Sequence, residues 1–92
     1  MSVSFKDEET KKVFLTGKSR RFGSVARMAA RRLVDLDVAQ DVLDLRNPPG
    51  NRLERLKGDR AGQWSIRIND HLSVCFEWHG QDASNVEIVD YH

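Results

Sequence analysis

The chain changes its hydrophobic period once, at Asn47-Pro48-Pro49-Gly50, and this change constrains the fold more than any other feature. Neither proline can continue a helix, and Gly50 permits a sharp turn. Upstream of the break the apolar residues recur at helical spacing. Val25, Ala29, Leu33 and Leu36 fall on one stripe, with Arg27, Arg31 and Asp35 mostly elsewhere. Downstream the period is two. Trp64, Ile66 and Ile68 alternate with Ser65, Arg67 and Asn69; Leu72, Val74, Phe76 and Trp78 alternate with Ser73, Cys75 and Glu77; Val86 and Ile88 alternate with Glu87 and Val89. This pattern predicts three half-buried strands of an antiparallel meander, preceded by a shorter strand over Arg52–Leu56. Helices first and a sheet after is an α+β order.

The helical half has further punctuation. Ser4-Phe5 closes a short apolar start that suits an edge strand. Asp7-Glu8-Glu9 puts acids at a helix N-terminus, where they complement the dipole. Val13 and Phe14 give that helix an apolar side, and Gly17 is its expected C-cap. Ser24 is the candidate N-cap of a second helix, and a short helical turn is expected around Val38–Leu43.

With 92 residues the chain is expected to form one domain spanning 1–92, with a single modest core. No apolar run approaches the roughly 20 residues of a membrane helix. The N-terminus lacks the apolar centre of a signal peptide, and Cys75 is the only cysteine, so the expected location is the cytoplasm and no membrane partner is expected. A net charge of +1 says nothing about nucleic acid, but its distribution does. Residues 46–67 carry six Lys+Arg against two acids, and residues 68–92 carry five acids and no Lys or Arg. Such a pattern can place cations beside proton acceptors, or it can be an ordinary solvated surface.

Strand register sharpens the first alternative. A three-residue loop, Asn69-Asp70-His71, pairs Ile68 with Leu72, Ile66 with Val74 and Trp64 with Phe76, which keeps the apolar set on one face. It also pairs Arg67 with Ser73. A five-residue loop, Gly80–Ser84, would pair Trp78 with Val86, Phe76 with Ile88 and Ser73 with Tyr91. Arg67, Ser73 and Tyr91 then form a row across three strands, with His92 just beyond. The row is either the solvated face of a half-exposed sheet or an anion site with acid–base groups attached.

The segment LKGDRAGQWSIRIN (Leu56–Asn69), the preceding NPPGNRLERLKG, the terminal VEIVDYH (Val86–His92) and the N-terminal SFKDEETKKVFLTGKSRRF resemble HigB-type toxins of the RelE superfamily over essentially the whole chain. The resemblance implies a RelE-like fold, with two N-terminal helices packed on a curved antiparallel sheet. It implies the toxin of a type II toxin–antitoxin pair, a ribosome-dependent endoribonuclease acting on mRNA. The implied partners are mRNA, the ribosome and a HigA-like helix-turn-helix antitoxin, with DNA reached only through that antitoxin. The family lysine falls on Lys57, the strand arginine on Arg67, and the terminal triplet on Asp90, Tyr91 and His92. Two departures stand out. Members usually carry an aromatic and a second arginine where this chain has Leu72 and Ser73, and some carry a histidine where it has Glu54.

RNA cleavage of this type needs a proton taken from the 2′-OH, a crowded phosphate stabilised and a proton given to the 5′-oxygen. No cofactor is expected, and His71, His79, His92 and Cys75 lack metal-ligand spacing. Arg67 suits the phosphate, because its planar fork binds two oxygens. Lys57 suits the developing charge or a proton transfer, and His92 suits general acid–base work near neutrality. Tyr91 is expected to stack on a base or orient the 2′-OH, with Asp90 in support. Arg52, Arg55 and Arg60 are expected to contact RNA or ribosome phosphates, or else to serve as rim charge. Trp64 and Trp78 are assigned to the core. Ser73 keeps a hydroxyl and lacks a charge, so attenuated activity is expected. A non-catalytic module that binds antitoxin or ribosome and acts in transcriptional autoregulation is the alternative, and a plain structural domain is a third.

Overall fold

The computed structural model describes residues 3–47 and 49–90. Strand β1 (Val3–Phe5) leads into helix α1 (Glu8–Thr16), and helix α2 (Ala26–Val38) follows. Strands β2 (Glu54–Arg55), β3 (Trp64–Arg67), β4 (Leu72–His79) and β5 (Asp82–Asp90) complete an α+β architecture. The five strands form one sheet in the order β1-β5-β4-β3-β2.

Local chemistry sets the helix ends. Asp7 caps α1, its Oδ1 accepting from Thr10 N at 2.7 Å, which satisfies one of the unpaired N–H groups of the first turn. Gly17 ends the helix at φ 68°, where it donates to Val13 O at 2.8 Å. Ser24 does not cap α2. Gly23–Val25 forms a 3₁₀ turn instead, and α2 continues from it at Ala26 without a side-chain cap. The later helical turn also lies further on than expected, at Val42–Arg46, where Asp41 and Asp44 form a reciprocal capping box.

The two faces of the sheet divide as the alternation requires. Ile66, Ile68, Val74, Phe76, Val86 and Ile88 are buried against Val13, Ala29, Leu33 and Leu36. Trp64 and Trp78 pack at the margin of this core. The sheet is mixed rather than wholly antiparallel, because β1 lies parallel to β5, with Val3 beside Ala83 and Phe5 beside Val86. Beyond the short β1, α1 takes over the edge of β5: Ile88 N donates to Thr10 Oγ1 at 3.2 Å. This satisfies a buried donor that no strand reaches.

The first hairpin has the expected register, with Trp64, Ile66 and Arg67 opposite Phe76, Val74 and Ser73. Asn69 organises its turn, accepting from His71 N at 2.9 Å and Leu72 N at 2.8 Å.

The second hairpin does not follow the expected register. Its turn is two residues, Gly80-Gln81, closed by His79 opposite Asp82, with Gly80 at φ 63°. A two-residue turn alone would place Val74 opposite Glu87 and send that carboxylate into the core. A β-bulge between the Glu77–Ser84 and Cys75–Glu87 pairs corrects the parity. Asn85 supplies the extra residue at φ 51°, a conformation asparagine tolerates, and its Nδ2 donates to Glu77 Oε2 at 3.0 Å. That bond and one to His79 hold the Glu77 carboxyl below its usual pKa. Past the bulge, Val74 faces Ile88 and Ser73 faces Val89, so the expected Ser73–Tyr91 pairing is replaced.

Candidate active site

The sheet face turned away from the helices holds two adjacent cross-strand rows. One is Arg67–Ser73–Val89; the other is Glu54–Ser65–Cys75–Glu87. The expected polar surface is less open than alternation alone suggests. Ser65, Ser73 and Cys75 are all buried. Small side chains in a strand centre are covered by longer neighbours, and here these include Arg60 and Glu87. Arg60 Nη1 reaches Glu87 Oε2 at 3.3 Å and Gln63 Oε1 at 3.0 Å, while Lys6 Nζ meets the same Glu87 oxygen at 3.1 Å. One carboxylate therefore draws two cations over the middle of the face. Burial pushes the Cys75 thiol up to about 11, with Arg60 and Lys6 pulling it down and Glu87 adding to the rise. A protonated, enclosed thiol is no nucleophile at neutral pH.

The expected site residues separate into three groups. Arg67 and Ser73 are direct cross-strand partners, and Arg60 stands over the neighbouring row. Lys57 is exposed at the start of the 3₁₀ turn Gly58–Arg60, so one short loop carries both Lys57 and Arg60 to this side of the molecule. Arg52 and Arg55 are exposed on the flanking segment, and the Arg55 guanidinium sits 5.4 Å from the Trp64 ring centroid. Arg55 pairs with Trp64 across β2 and β3, which turns it towards the helix-side margin. Asp90 is opposite Leu72, also on the helix side as its alternation predicts. It lines an open cleft of about 450 Å³ with Arg21, Phe22, Asn69, His71 and Leu72. Tyr91 and His92 lie outside the described residues.

Arg67 does not stand free. Its Nε donates to Asn69 O at 3.1 Å, and its Nη2 is ion-paired with Asp70 of the β3–β4 turn. These two donors form one edge of the guanidinium fork, so the edge formed by Nη1 and Nη2 is the one left for a ligand. The carbonyl of Arg67 accepts from Arg32 Nε of α2 at 3.0 Å, tying the end of β3 to the helix layer.

Sequence reasoning left out Lys6, Glu87 and Asp70 as members of this site. Glu87 had a legible signal, since alternation places it on the face of Cys75. Lys6 had none, because its approach depends on a parallel strand pair between chain segments about eighty residues apart. Among the described residues, no group of three or more His, Cys, Asp and Glu side chains is arranged to hold a metal ion. No helix among them is long and apolar enough to cross a membrane.

The model of the RelE-like toxin of the type II toxin–antitoxin system HigB matches residues 3–92. The chain belongs to the HigB-like toxin family. Toxin HigB-1 of Vibrio cholerae serotype O1 is 39% identical over 80 residues, spanning 85% of this chain and 84% of the relative. Endoribonuclease HigB of Proteus vulgaris is 36% identical over 61 residues, 66% of this chain and 65% of the relative. Among solved structures, the YoeB/ParE toxin of Agrobacterium tumefaciens superposes with a TM-score of 0.60 at 21% identity, with both chains fully covered. A YoeB–YefM complex from Staphylococcus aureus contains a chain with a TM-score of 0.59 at 14% identity, covering 98% of this HigB-like chain and 94% of that one. At these identities the structural likeness concerns the fold alone. The residue differences at Leu72, Ser73 and Glu54 are thus departures within a HigB-like toxin, placed on the same sheet as Arg67.

Proposed function

We propose that this HigB-like toxin is a metal-independent endoribonuclease that cuts mRNA on the ribosome, works in the cytoplasm, and is attenuated at Ser73. The observation that carries the proposal is the cross-strand pair of Arg67 and Ser73, flanked by the loop that bears Lys57 and Arg60. Cations from separate strands and a loop converge on one face, as a phosphate in a crowded transition state requires. The Proteus vulgaris relative carries the name endoribonuclease, which supports the same chemistry here.

In this scheme the 2′-oxygen attacks the adjacent phosphorus as its proton passes to a base. The P–O5′ bond breaks, and the departing 5′-oxygen takes a proton. Products are a 2′,3′-cyclic phosphate and a 5′-hydroxyl. Arg67 binds a non-bridging oxygen through its remaining edge, Lys57 offsets the growing charge, and His92 exchanges the protons with Tyr91 and Asp90 beside it. Arg52, Arg55 and Arg60 hold flanking phosphates. The partner that silences the toxin is a HigA-like helix-turn-helix antitoxin, through which DNA is reached indirectly.

The test is primer extension on mRNA translated in a reconstituted system. Cuts at ribosome-occupied codons are expected, persisting in chelator once ribosomes are fixed on message. Arrested growth without cuts would favour the non-catalytic module acting in autoregulation. The occupied edge of Arg67 and the missing charge at Ser73 are the observations that keep this second reading in view.

A further inference from the structure

Helix α2 carries more apolar surface than its core contacts use. Ala26, Ala29, Leu33 and Leu36 form its buried stripe. On the opposite side, Arg27, Arg31, Val34 and Val38 recur at i, i+4, i+7 and i+11, a second stripe about 16 Å long. Val34 and Val38 are 47% and 60% exposed, and Met28 beside them is 46% exposed. The large hydrophobics that stand exposed among the described residues all lie on the helical half of the molecule, and none is on the sheet face that carries Arg67. Where α1 ends and α2 begins, an open groove of about 590 Å³ is lined by Gly17, Ser24, Arg27, Met28, Ala30 and Arg31.

The charge around this groove is one-sided. Residues 10–34 contain eight lysines and arginines and no acid, although the whole chain is nearly neutral. The ion pairs among the described residues involve Lys6, Arg60, Arg67 and His79, and leave Arg27 and Arg31 unneutralised. Polyanion-binding faces are basic and polar. This face instead joins arginines to methionine and valine, the composition of a protein interface core. A groove that accepts one bulky side chain, followed by a helical stripe, suits an amphipathic helix laid along α2.

We infer that the α1–α2 groove and the outer stripe of α2 form the seat for an acidic amphipathic helix of the antitoxin. Its carboxylates meet Arg27 and Arg31, an apolar side chain enters the groove beside Met28, and further apolar residues cover Val34 and Val38. The inference rests on the antitoxin partnership proposed above and is independent of the nuclease chemistry.

The test is calorimetric titration of the purified full chain with the purified antitoxin encoded beside it, in parallel with ribosome sedimentation. Arg27→Glu with Arg31→Glu is expected to weaken antitoxin binding at least about 30-fold. Lys11→Glu with Lys12→Glu changes net charge equally but lies outside the groove, and is expected to change it by less than about threefold. Val34→Ser with Val38→Ser is expected to weaken binding about tenfold, with little salt dependence. All of these sites but none of the core are exposed, and thermal melts check that each variant folds; Arg31→Ala alone is the milder substitute. Equal affinities for wild type and groove variants would overturn the seat while leaving the antitoxin partnership standing. Groove variants that lose ribosome binding and keep antitoxin affinity would assign the face to RNA and overturn it too. A wild-type chain that binds no antitoxin would remove the partnership itself, and the seat with it.

Discussion

Arg67 and Ser73 face each other across the β3–β4 ladder, yet the arginine reaches along its own strand to Asn69 and Asp70 instead of across to the serine. The buried hydroxyl opposite it offers no charge and takes little room. The space and the potential of this row are therefore set by one cation already engaged by a carboxylate.

Restoring a cation opposite Arg67 should raise activity. Ser73→Arg places a second guanidinium on the same face, and the expected gain in cleavage rate is on the order of 100-fold, the contribution of one transition-state donor. Growth arrest and primer extension measure it together. Tyr91→Ala in the same assay should fall below the parent. A flat order across the three proteins would remove the catalytic assignment.

Asp70 should act against substrate. It is 82% exposed, so its charge faces an incoming phosphate while it holds one arm of Arg67. Asp70→Asn keeps an acceptor and removes the charge. RNA binding at low salt should tighten about fivefold, in line with the ~1 kcal/mol of an exposed charge pair, and the gain should fade as salt rises. Filter binding across a salt series reads both effects.

The Cys75 thiol should report on unfolding. A thiol held to about 11 is protonated at pH 8 in the folded chain, whereas a free cysteine ionises near 8.5. The folded pKa is the higher one, so the neutral thiol's contribution to stability is complete below about pH 8.5 and is lost as pH rises through about 11. Reaction with a disulfide reagent at pH 8 should therefore proceed at the rate of chain opening. Thermal melts should decline less over the alkaline range in Cys75→Ala than in the parent. Fast labelling of the native chain would show the thiol to be open.

Core truncation should be costly for so small a domain. Ile66 is fully buried between Val74 and the helix layer. Ile66→Ala should lower stability by about 2–5 kcal/mol, seen as a lower urea midpoint with an unchanged slope.

The face assignments of β3, β4 and β5 were legible, because one side of this sheet is buried and alternation then has a single solution at each position. The first hairpin was legible for the same reason, since a three-residue loop matches two apolar sets without strain. The second hairpin was not. Alternation over Val86 and Ile88 fixes a face but permits any shift by two, and the five-residue loop satisfied it. The contrary signal was local: Ala83 and Val86 are three apart and both buried, with Asn85 between them. Ser24 misled because the chain enters α2 through a 3₁₀ turn, whose own backbone bonds stand in for a cap. In the candidate site Arg67 and Ser73 were placed correctly, while the hold of Asn69 and Asp70 on Arg67 is a matter of side-chain direction that periodicity does not encode.

The bulge at Asn85 and the tight turn at Gly80-Gln81 are one device in two pieces. Each alone would invert β5, presenting Glu87 to the hydrocarbon interior and Ile88 to water. Insertion of one residue in the turn should therefore be tolerated only together with deletion of Asn85. Homologous chains should show the two lengths changing in concert, with their sum of residues held constant.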